Sequence, residues 1–188
     1  KQKSFRSLSG HVFNWEWLNT LATIIPQEKC FPIYRKMQNP FWEEKIKKIR
    51  SRYGNEALEA DDVMKHILRN PNDGNSAYMF VADQTPHISM VNFGLKFLNQ
   101  KTPAFIGYDR LSSRMNVTFV YCEMEKVKRG HYKVTYHEIL PDNDKFEPYE
   151  VVKKFHKNLE KTINKNPDNW LWSHKRWKYK DAIKHYDE

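Results

Sequence analysis

The sequence contains no uninterrupted apolar segment of the about 20 residues that a membrane-spanning helix requires. Signal-peptide features are also missing from these residues. The two cysteines, Cys30 and Cys122, lie far apart and form no CxxC pair, which excludes a disulfide framework and a cysteine zinc motif. We therefore expect two reduced cysteines in a cytoplasmic setting, with a single disulfide between them as the alternative.

Length and composition favour one globular domain. The chain has 188 residues, which is enough to bury a real core. Hydrophobic residues make up 39% of it and charged residues 29%, as is typical of a globular rather than a disordered chain. We predict a single domain over residues 1–188. Because the chain starts at Lys1 without a methionine, we expect it to be incomplete at its amino terminus.

Positive charge is in excess, with 32 Lys and Arg residues against 23 Asp and Glu residues and a net charge of +9. This surplus predicts attraction to a polyanion, and it leaves nucleic acid, an anionic membrane surface, a phosphorylated ligand and an acidic carrier protein open. No RNP, KH or other RNA-binding signature occurs, so we expect no nucleic-acid partner. Most histidines are scattered without metal-ligand spacing, so we expect no metal site.

Short apolar strands alternate with helical patterns along the chain. This alternation predicts an α/β fold, with a mixed central sheet flanked by helices. The expected strands are 4–9, 31–34, 78–82, 102–106 and 117–122, followed by a hairpin over 127–139 that turns at Arg129-Gly130. The expected helices are 14–25, 40–52, 61–68, 108–114 and 151–164.

The helix predicted at 40–52 has an apolar stripe and a separate basic stripe. The apolar positions are Trp42, Ile46, Ile49 and Tyr53, and the basic positions are Lys45, Lys48 and Arg52. Arg50 and Arg52 are candidates to hold phosphates of a substrate or to face an acidic carrier, since Arg grips phosphate through two donors. The alternative is that Arg50 and Arg52 simply lie on a solvated face of the helix. Arg35 follows a short strand, where it either points into the same cleft or forms a structural pair.

His11 and Glu16 lie five residues apart at a predicted strand-to-helix junction. On a continuous helix they would point about 140° apart, so they meet only if His11 lies in the turn and Glu16 in the first helical turn. Gly10 makes such a turn easy. Glu16 would then accept a hydrogen bond from one ring nitrogen of His11 and leave the other nitrogen to act as a general base. Alternatively, His11 caps a strand and Glu16 is a solvated first-turn acid.

No serine or cysteine nucleophile is evident, which suits direct attack by a hydroxyl of the substrate. Asp83 and Gln84 follow an apolar strand, a position where polar groups often line a site in α/β sheets. The alternative is that Asp83 is a turn or cap residue without a role in a site. We count Asn14, Asp83 and Gln84 with the three arginines as substrate-binding candidates.

Several further segments occur in an order that resembles the late lipid A biosynthesis acyltransferases. The resemblance runs from about Ser4 to Lys178. The segments are 11–16, Tyr34-Arg35 with Asn39-Pro40, 49–54, 82–86, 97–99, Thr102-Pro103 with Gly107, and 167–177.

The resemblance implies a glycerolipid-acyltransferase-like fold, an acyl-carrier-protein thioester as donor and a lipid A precursor as acceptor, at the cytoplasmic face of the bacterial inner membrane. No metal or dissociable cofactor is implied beyond that thioester. The family's catalytic His and acid fall on His11 and Glu16, its helix arginine on Arg52 with Arg50 close by, and its DQ aspartate on Asp83. Family members normally carry an amino-terminal membrane helix ahead of the catalytic His.

One departure from the family pattern and two alternative functions stand beside this interpretation. Val12-Phe13 replaces the aromatic-Gly pair of many members, which bears on the local turn. One alternative is a related lysophospholipid or aminolipid O-acyltransferase. The other is a basic module that binds a membrane or nucleic acid.

Trp170 and Trp172 fit either an interfacial segment or, as we prefer, a carboxy-terminal helix packed on the core.

Overall fold

The computed structural model describes residues 4–70, 73–115 and 117–187. The chain divides into two compact units. Unit 1 comprises Lys1–Ser7 and Asn14–Phe80, and unit 2 comprises Leu8–Phe13 and Val81–Glu188. The expectation of one domain over residues 1–188 stays a prediction.

Unit 1 is built mainly on parallel strands. Its strand order is β3-β2-β4-β1, and β2 pairs in parallel with both β3 and β4. The elements are β1 (Phe5–Ser9), a 3-10 helix (Trp15–Thr23), β2 (Lys29–Tyr34), α1 (Pro40–Arg50), β3 (Leu58–Glu59), α2 (Val63–Arg69) and β4 (Ser76–Val81).

Apolar side chains on the two faces of β2 and β4 hold unit 1 together. On one face, Cys30 and Met79 pack with Phe5, Ala22 and Ile25. On the other, the rings of Phe31 and Tyr78 stack 5.3 Å apart. The parallel strands are therefore buried on both sides, which explains their nearly continuous apolar sequences.

Unit 2 contains the paired strands β7 and β8 and a separate three-stranded sheet with order β6-β5-β9. The β7–β8 pair is a long antiparallel hairpin that turns at Gly130, whose φ is 76°. The remaining elements are β5 (Phe93–Phe97), β6 (Gln100–Ala104), α3 (Gly107–Met115), β7 (Phe119–Lys128), β8 (His131–Ile139), α4 (Glu150–Lys165) and β9 (His185–Asp187).

Helix α4 supplies the apolar centre of unit 2. Its apolar side is buried, and the ring of Phe155 lies 6.0 Å from the rings of Tyr108 and Tyr121. The buried apolar residues are Val151, Val152, Phe155, Leu159 and Ile163. The Tyr121 hydroxyl is 2.7 Å from the Thr162 hydroxyl, so the helix is joined to β7 by a buried hydrogen bond as well as by apolar contacts.

The amino terminus of α4 is capped by a carboxylate from another helix. Tyr149 precedes α4 in the left-handed conformation, with φ 68°, and makes no side-chain cap. Instead Asp109 of α3 accepts hydrogen bonds from the backbone N–H groups of Tyr149 (2.7 Å), Val151 (3.0 Å) and Val152 (3.2 Å). These donors have no partner within the helix, and the helix dipole favours a negative charge there.

The predicted α/β class, with a mixed central sheet flanked by helices, is confirmed, as are both cysteines being free. Both thiols are buried, and burial raises the pKa of each to about 12. No helix among the described residues is long and apolar enough to cross a membrane.

Three details of the fold differ from or refine the prediction. The helix expected at 14–25 is a 3-10 helix over Trp15–Thr23. Strand β5 was not predicted, since Gly94 and Lys96 interrupt its apolar residues. After α4 the described chain forms short 3-10 helices at Pro167–Asn169 and Lys180–Ala182 and the strand β9, in place of the preferred carboxy-terminal helix.

Replacing Asp109 with Ala is expected to lower the free energy of unfolding by about 1–3 kcal/mol, because three buried backbone donors lose their acceptor. Urea denaturation measures the change. Asp144→Ala, on the exposed loop before α4, is the matched control and should have little effect. Equal stability of the two variants would contradict the capping role.

Candidate active site

Two of the predicted site residues follow neighbouring strand ends in unit 2. His11 follows β1 through Gly10, and Asp83 follows β4 through Ala82. The Ala82 N–H donates to the Ser9 carbonyl at 2.9 Å, which holds the two chain segments side by side. His11 and Asp83 therefore lie just beyond the ends of these two segments.

The carboxylate of Asp83 is held by three donors. The Nδ1 atom of His11 lies 2.5 Å from Oδ1, and the His11 backbone N–H donates to Oδ2 at 3.0 Å. The indole Nε1–H of Trp170 donates to Oδ2 at 2.7 Å. The side chain of Asp83 is 3% exposed and that of His11 is 15% exposed, so the carboxylate is shielded while the imidazole stays accessible.

Asp83 is ionised although it is buried. Burial by itself raises the pKa of a carboxyl group, but the hydrogen bond and charge of His11, the Trp170 indole and the His11 N–H outweigh it. Together they hold the pKa of Asp83 below its ordinary value of 3.8.

The hydrogen-bond partners also assign the proton on His11. An ionised carboxylate only accepts, so Nδ1 carries a hydrogen toward Asp83. The amide nitrogen of Gln84 lies 3.2 Å from Nε2. With Nδ1 held by Asp83, Nε2 is the ring nitrogen that faces the Gln84 side chain.

The segment after α4 closes the site by backbone pairing. Phe13 N–H donates to the Asn169 carbonyl at 2.7 Å, and Leu171 N–H donates to the His11 carbonyl at 3.1 Å. Trp170 lies between them and is 6% exposed. Sequence reasoning placed Trp170 in a packed helix and missed its bond to Asp83. The only signal was its place in the 167–177 segment of the family resemblance.

A buried cation lies behind the carboxylate and was also missed. Arg176 is 1% exposed, donates to the Pro103 carbonyl at 2.5 Å and lies 3.2 Å from Nε2 of His156. Burial lowers the pKa of Arg176 to about 10, while the charge of Asp83 counteracts this. Burial and the Arg176 charge lower the pKa of His156 to about 3, so His156 is a neutral acceptor.

Two other predicted site residues pair with each other in unit 1. Arg50 donates from Nη2 to Oε1 of Glu16 at 2.6 Å and from Nε to Oε2 at 3.2 Å, a two-point grip. Asn19 Nδ2 donates to Oε2 at 3.1 Å. The carboxylate that holds Nδ1 of His11 is Asp83, and the expected role of Glu16 toward His11 stays a prediction.

The remaining candidates lie at the ends of unit 1 elements. Arg35 is exposed after β2, and Arg52 is exposed after α1 with its guanidinium 6.0 Å from the Tyr53 ring centre. Asn14 begins the 3-10 helix, where its carbonyl accepts from the Trp17 N–H at 2.9 Å. Their substrate-binding roles, and those of Arg50, Asp83 and Gln84, stay predictions. No cluster of three or more potential metal ligands occurs among the described residues.

Replacing Trp170 with Phe should reduce the free energy of unfolding in a pH-dependent way. Because the folded pKa of Asp83 lies below 3.8, the stabilisation by its donors is complete above that pH and is lost as the pH falls through the folded pKa. We expect a loss of about 1.5–3 kcal/mol from the charged hydrogen bond at neutral pH, on top of a pH-independent packing loss.

Trp177→Phe is the matched control, because the Trp177 indole donates at 2.7 Å to the neutral hydroxyl of Thr102. Urea unfolding of both variants across the acid range separates the two contributions. The Trp170 deficit should shrink as the pH falls, whereas the Trp177 deficit should stay constant. Parallel curves would contradict the assignment of an ionised Asp83.

Comparison with known proteins identifies the family of this chain. No curated protein matches the chain. A family model for bacterial lipid A biosynthesis acyltransferases matches residues 1–179, which includes both unit 1 and the His11–Asp83 pair of unit 2. The chain therefore belongs to the bacterial lipid A biosynthesis acyltransferase family.

Proposed function

We propose that the chain moves a fatty-acyl group from an acyl-carrier-protein thioester to a hydroxyl of a lipid A precursor, with His11 as the general base. The observation that carries this proposal is the short Nδ1–Oδ1 pair of 2.5 Å between His11 and Asp83. It engages Nδ1 of the ring, so that in the proposed reaction Nε2 is the nitrogen that removes a proton from an alcohol.

In the proposed reaction the acceptor hydroxyl replaces the Gln84 amide at Nε2 of His11. The hydroxyl proton passes to Nε2 as the oxygen bonds to the thioester carbonyl carbon. The resulting tetrahedral intermediate collapses with cleavage of the carbon–sulfur bond. The imidazolium then returns its proton to the departing thiolate, so that the ester, the free carrier thiol and neutral His11 are restored.

Asp83 serves as a positioning residue in this scheme. Its charge stabilises the imidazolium that forms during attack, and its hydrogen bond keeps the Nδ1–H tautomer. Trp170 and the His11 N–H hold the carboxylate still, so it need not reorganise when the charge appears. Oxyanion stabilisation is assigned to backbone N–H groups near the start of the 3-10 helix.

Substrate binding is assigned to polar and basic side chains already identified. Asn14 and Gln84 contact the acceptor, and Arg35 and Arg52 bind its phosphates, since both guanidiniums are exposed. Arg50 keeps its salt bridge to Glu16 and contributes positive electrostatic potential. The net charge of +9 favours approach of the acidic carrier and an anionic membrane surface, and we place the reaction at the cytoplasmic face of the bacterial inner membrane.

Replacing His11 with Ala should lower kcat/KM by at least about 10²–10⁴-fold, the usual contribution of general base catalysis. Asp83→Asn should also lower kcat, because the imidazolium loses its counter-charge. His131→Ala, an exposed histidine at the start of β8, is the matched control and should retain activity. Thermal unfolding confirms that each variant folds. Activity of His11→Ala within a few fold of wild type would refute the mechanism.

The role of Glu16 can be separated from that of Arg50 by a double-mutant cycle. If Glu16 acts by holding Arg50, then Glu16→Gln, Arg50→Gln and the double variant should lose similar activity. If Glu16 acts on His11, Glu16→Gln should lose more and should change the pH profile of kcat/KM. We expect the first result, with Glu16→Asp keeping more activity than Glu16→Gln. Additive losses would exclude a shared role.

The acceptor is identified by incubating the protein with acyl-carrier thioesters and a set of lipids. Mass spectrometry of the products distinguishes an acylated lipid A precursor from an acylated lysophospholipid or aminolipid. Transfer only to a lysophospholipid would overturn the proposed acceptor while leaving the His11 chemistry intact.

A further inference from the structure

Helix α1 presents its charged side to unit 1. Glu43 accepts from the Tyr34 hydroxyl at 3.0 Å and from the Met37 N–H at 2.8 Å. Lys47 lies 3.2 Å from Glu43, and Arg50 grips Glu16. On the helix, Glu43, Lys47 and Arg50 fall within an arc of about 60°. No residue of α1 is buried, so this charged arc is the helix's most enclosed side.

The opposite side of α1 is apolar and exposed. Phe41 is 58% exposed, Trp42 53% and Ile49 56%, and Tyr53 in the following turn is 41% exposed. These side chains, together with Lys45 and Arg52, are called the outer face of α1. Phe41, Lys45, Ile49 and Trp42 fall within an arc of about 100°. The amphipathic pattern is therefore the reverse of a surface helix that packs its apolar side on a core.

Cations are interleaved with the exposed rings on this surface. The Lys45 ammonium lies 5.5 Å from the centre of the Phe41 ring, and the Arg52 guanidinium lies 6.0 Å from the centre of the Tyr53 ring. Lys48 is exposed beside them. Rings that sit at headgroup depth and cations that meet lipid phosphates are the two features of helices lying in a bilayer interface.

We propose that the outer face of α1 is a docking surface for an anionic bilayer, in whose headgroup layer Phe41, Trp42 and Ile49 insert while Lys45 and Lys48 contact phosphates. The proposal rests on the proposed function only in that the acceptor is taken to be a bilayer lipid. A second copy of the chain is a poorer occupant, since Lys45, Lys48 and Arg52 would face the same charges. Exposed tryptophan and phenylalanine favour lipid over an acidic carrier protein.

Vesicle co-sedimentation of the full chain tests this surface. Wild-type protein should bind vesicles containing phosphatidylglycerol at low salt, bind them more weakly at high salt, and bind phosphatidylcholine vesicles least. Phe41→Ser combined with Trp42→Ser should weaken partitioning at least about tenfold, because the two largest inserting side chains are removed. Lys45→Glu with Lys48→Glu should weaken binding to anionic vesicles selectively.

Matched controls lie on unit 2. Val127→Ser with Leu140→Ser removes two apolar side chains that are 67% and 54% exposed. Lys126→Glu with Lys128→Glu makes the same change of charge on exposed residues of β7. Both controls should bind vesicles as wild type does. Vesicle binding by the α1 variants at the wild-type level, or equal losses in the controls, would overturn the proposal.

A transfer assay separates failure of this inference from failure of the proposed function. With the lipid acceptor in detergent micelles, the Phe41→Ser, Trp42→Ser variant should work at the wild-type rate, and in vesicles it should be impaired. His11→Ala should lose transfer in both settings and keep vesicle binding. If the Phe41→Ser, Trp42→Ser variant lost affinity for acyl carrier protein but bound vesicles normally, the surface would be a carrier site and the bilayer proposal would be wrong.

Discussion

The site depends on one buried carboxylate. Asp83 is almost fully enclosed, and an enclosed negative charge is tolerated only when donors surround it. The ring and backbone of His11 and the indole of Trp170 provide those donors. Because these donors come from two distant parts of the chain, His11 and Trp170, satisfying Asp83 fixes the ring of His11, the turn after β1 and the segment after α4 at the same time.

The same constraint explains why the segment after α4 has little regular structure. Its backbone pairs with the turn that carries His11, through Asn169 and Leu171, and otherwise forms only short turns of its own. Arg176 of this segment adds a buried positive charge that is electrostatically coupled to Asp83, and neutral His156 accepts from it. A helix over these residues would satisfy its own N–H and C=O groups and leave the turn without partners.

Unit 1 uses its charges differently. Glu16, Arg50, Asn19 and Asn55 form a connected polar network, in which Asn55 donates to the carbonyls of Asn19 and Arg50 at 2.9 and 2.8 Å. This network holds the polar side of α1 and thereby leaves its apolar side outward. A polar network fixes the orientation of a helix, because each polar group in it requires its own hydrogen-bond partner in one position.

The sequence by itself determined the features that follow local spacing: the apolar positions of α4, the hairpin at Gly130, the two stripes of α1 and the polar residues after β1 and β4. Those patterns repeat within a few residues, where backbone geometry dictates which side chains share a face. Only the tertiary structure decided that Asp83, 72 residues from His11, holds its ring, and that Trp170 and Arg176 support the carboxylate. Local spacing pointed to Glu16, because a short motif contains only acids that are close in sequence. Contacts between distant segments are decided instead by burial and by the need of a buried charge for hydrogen-bond donors.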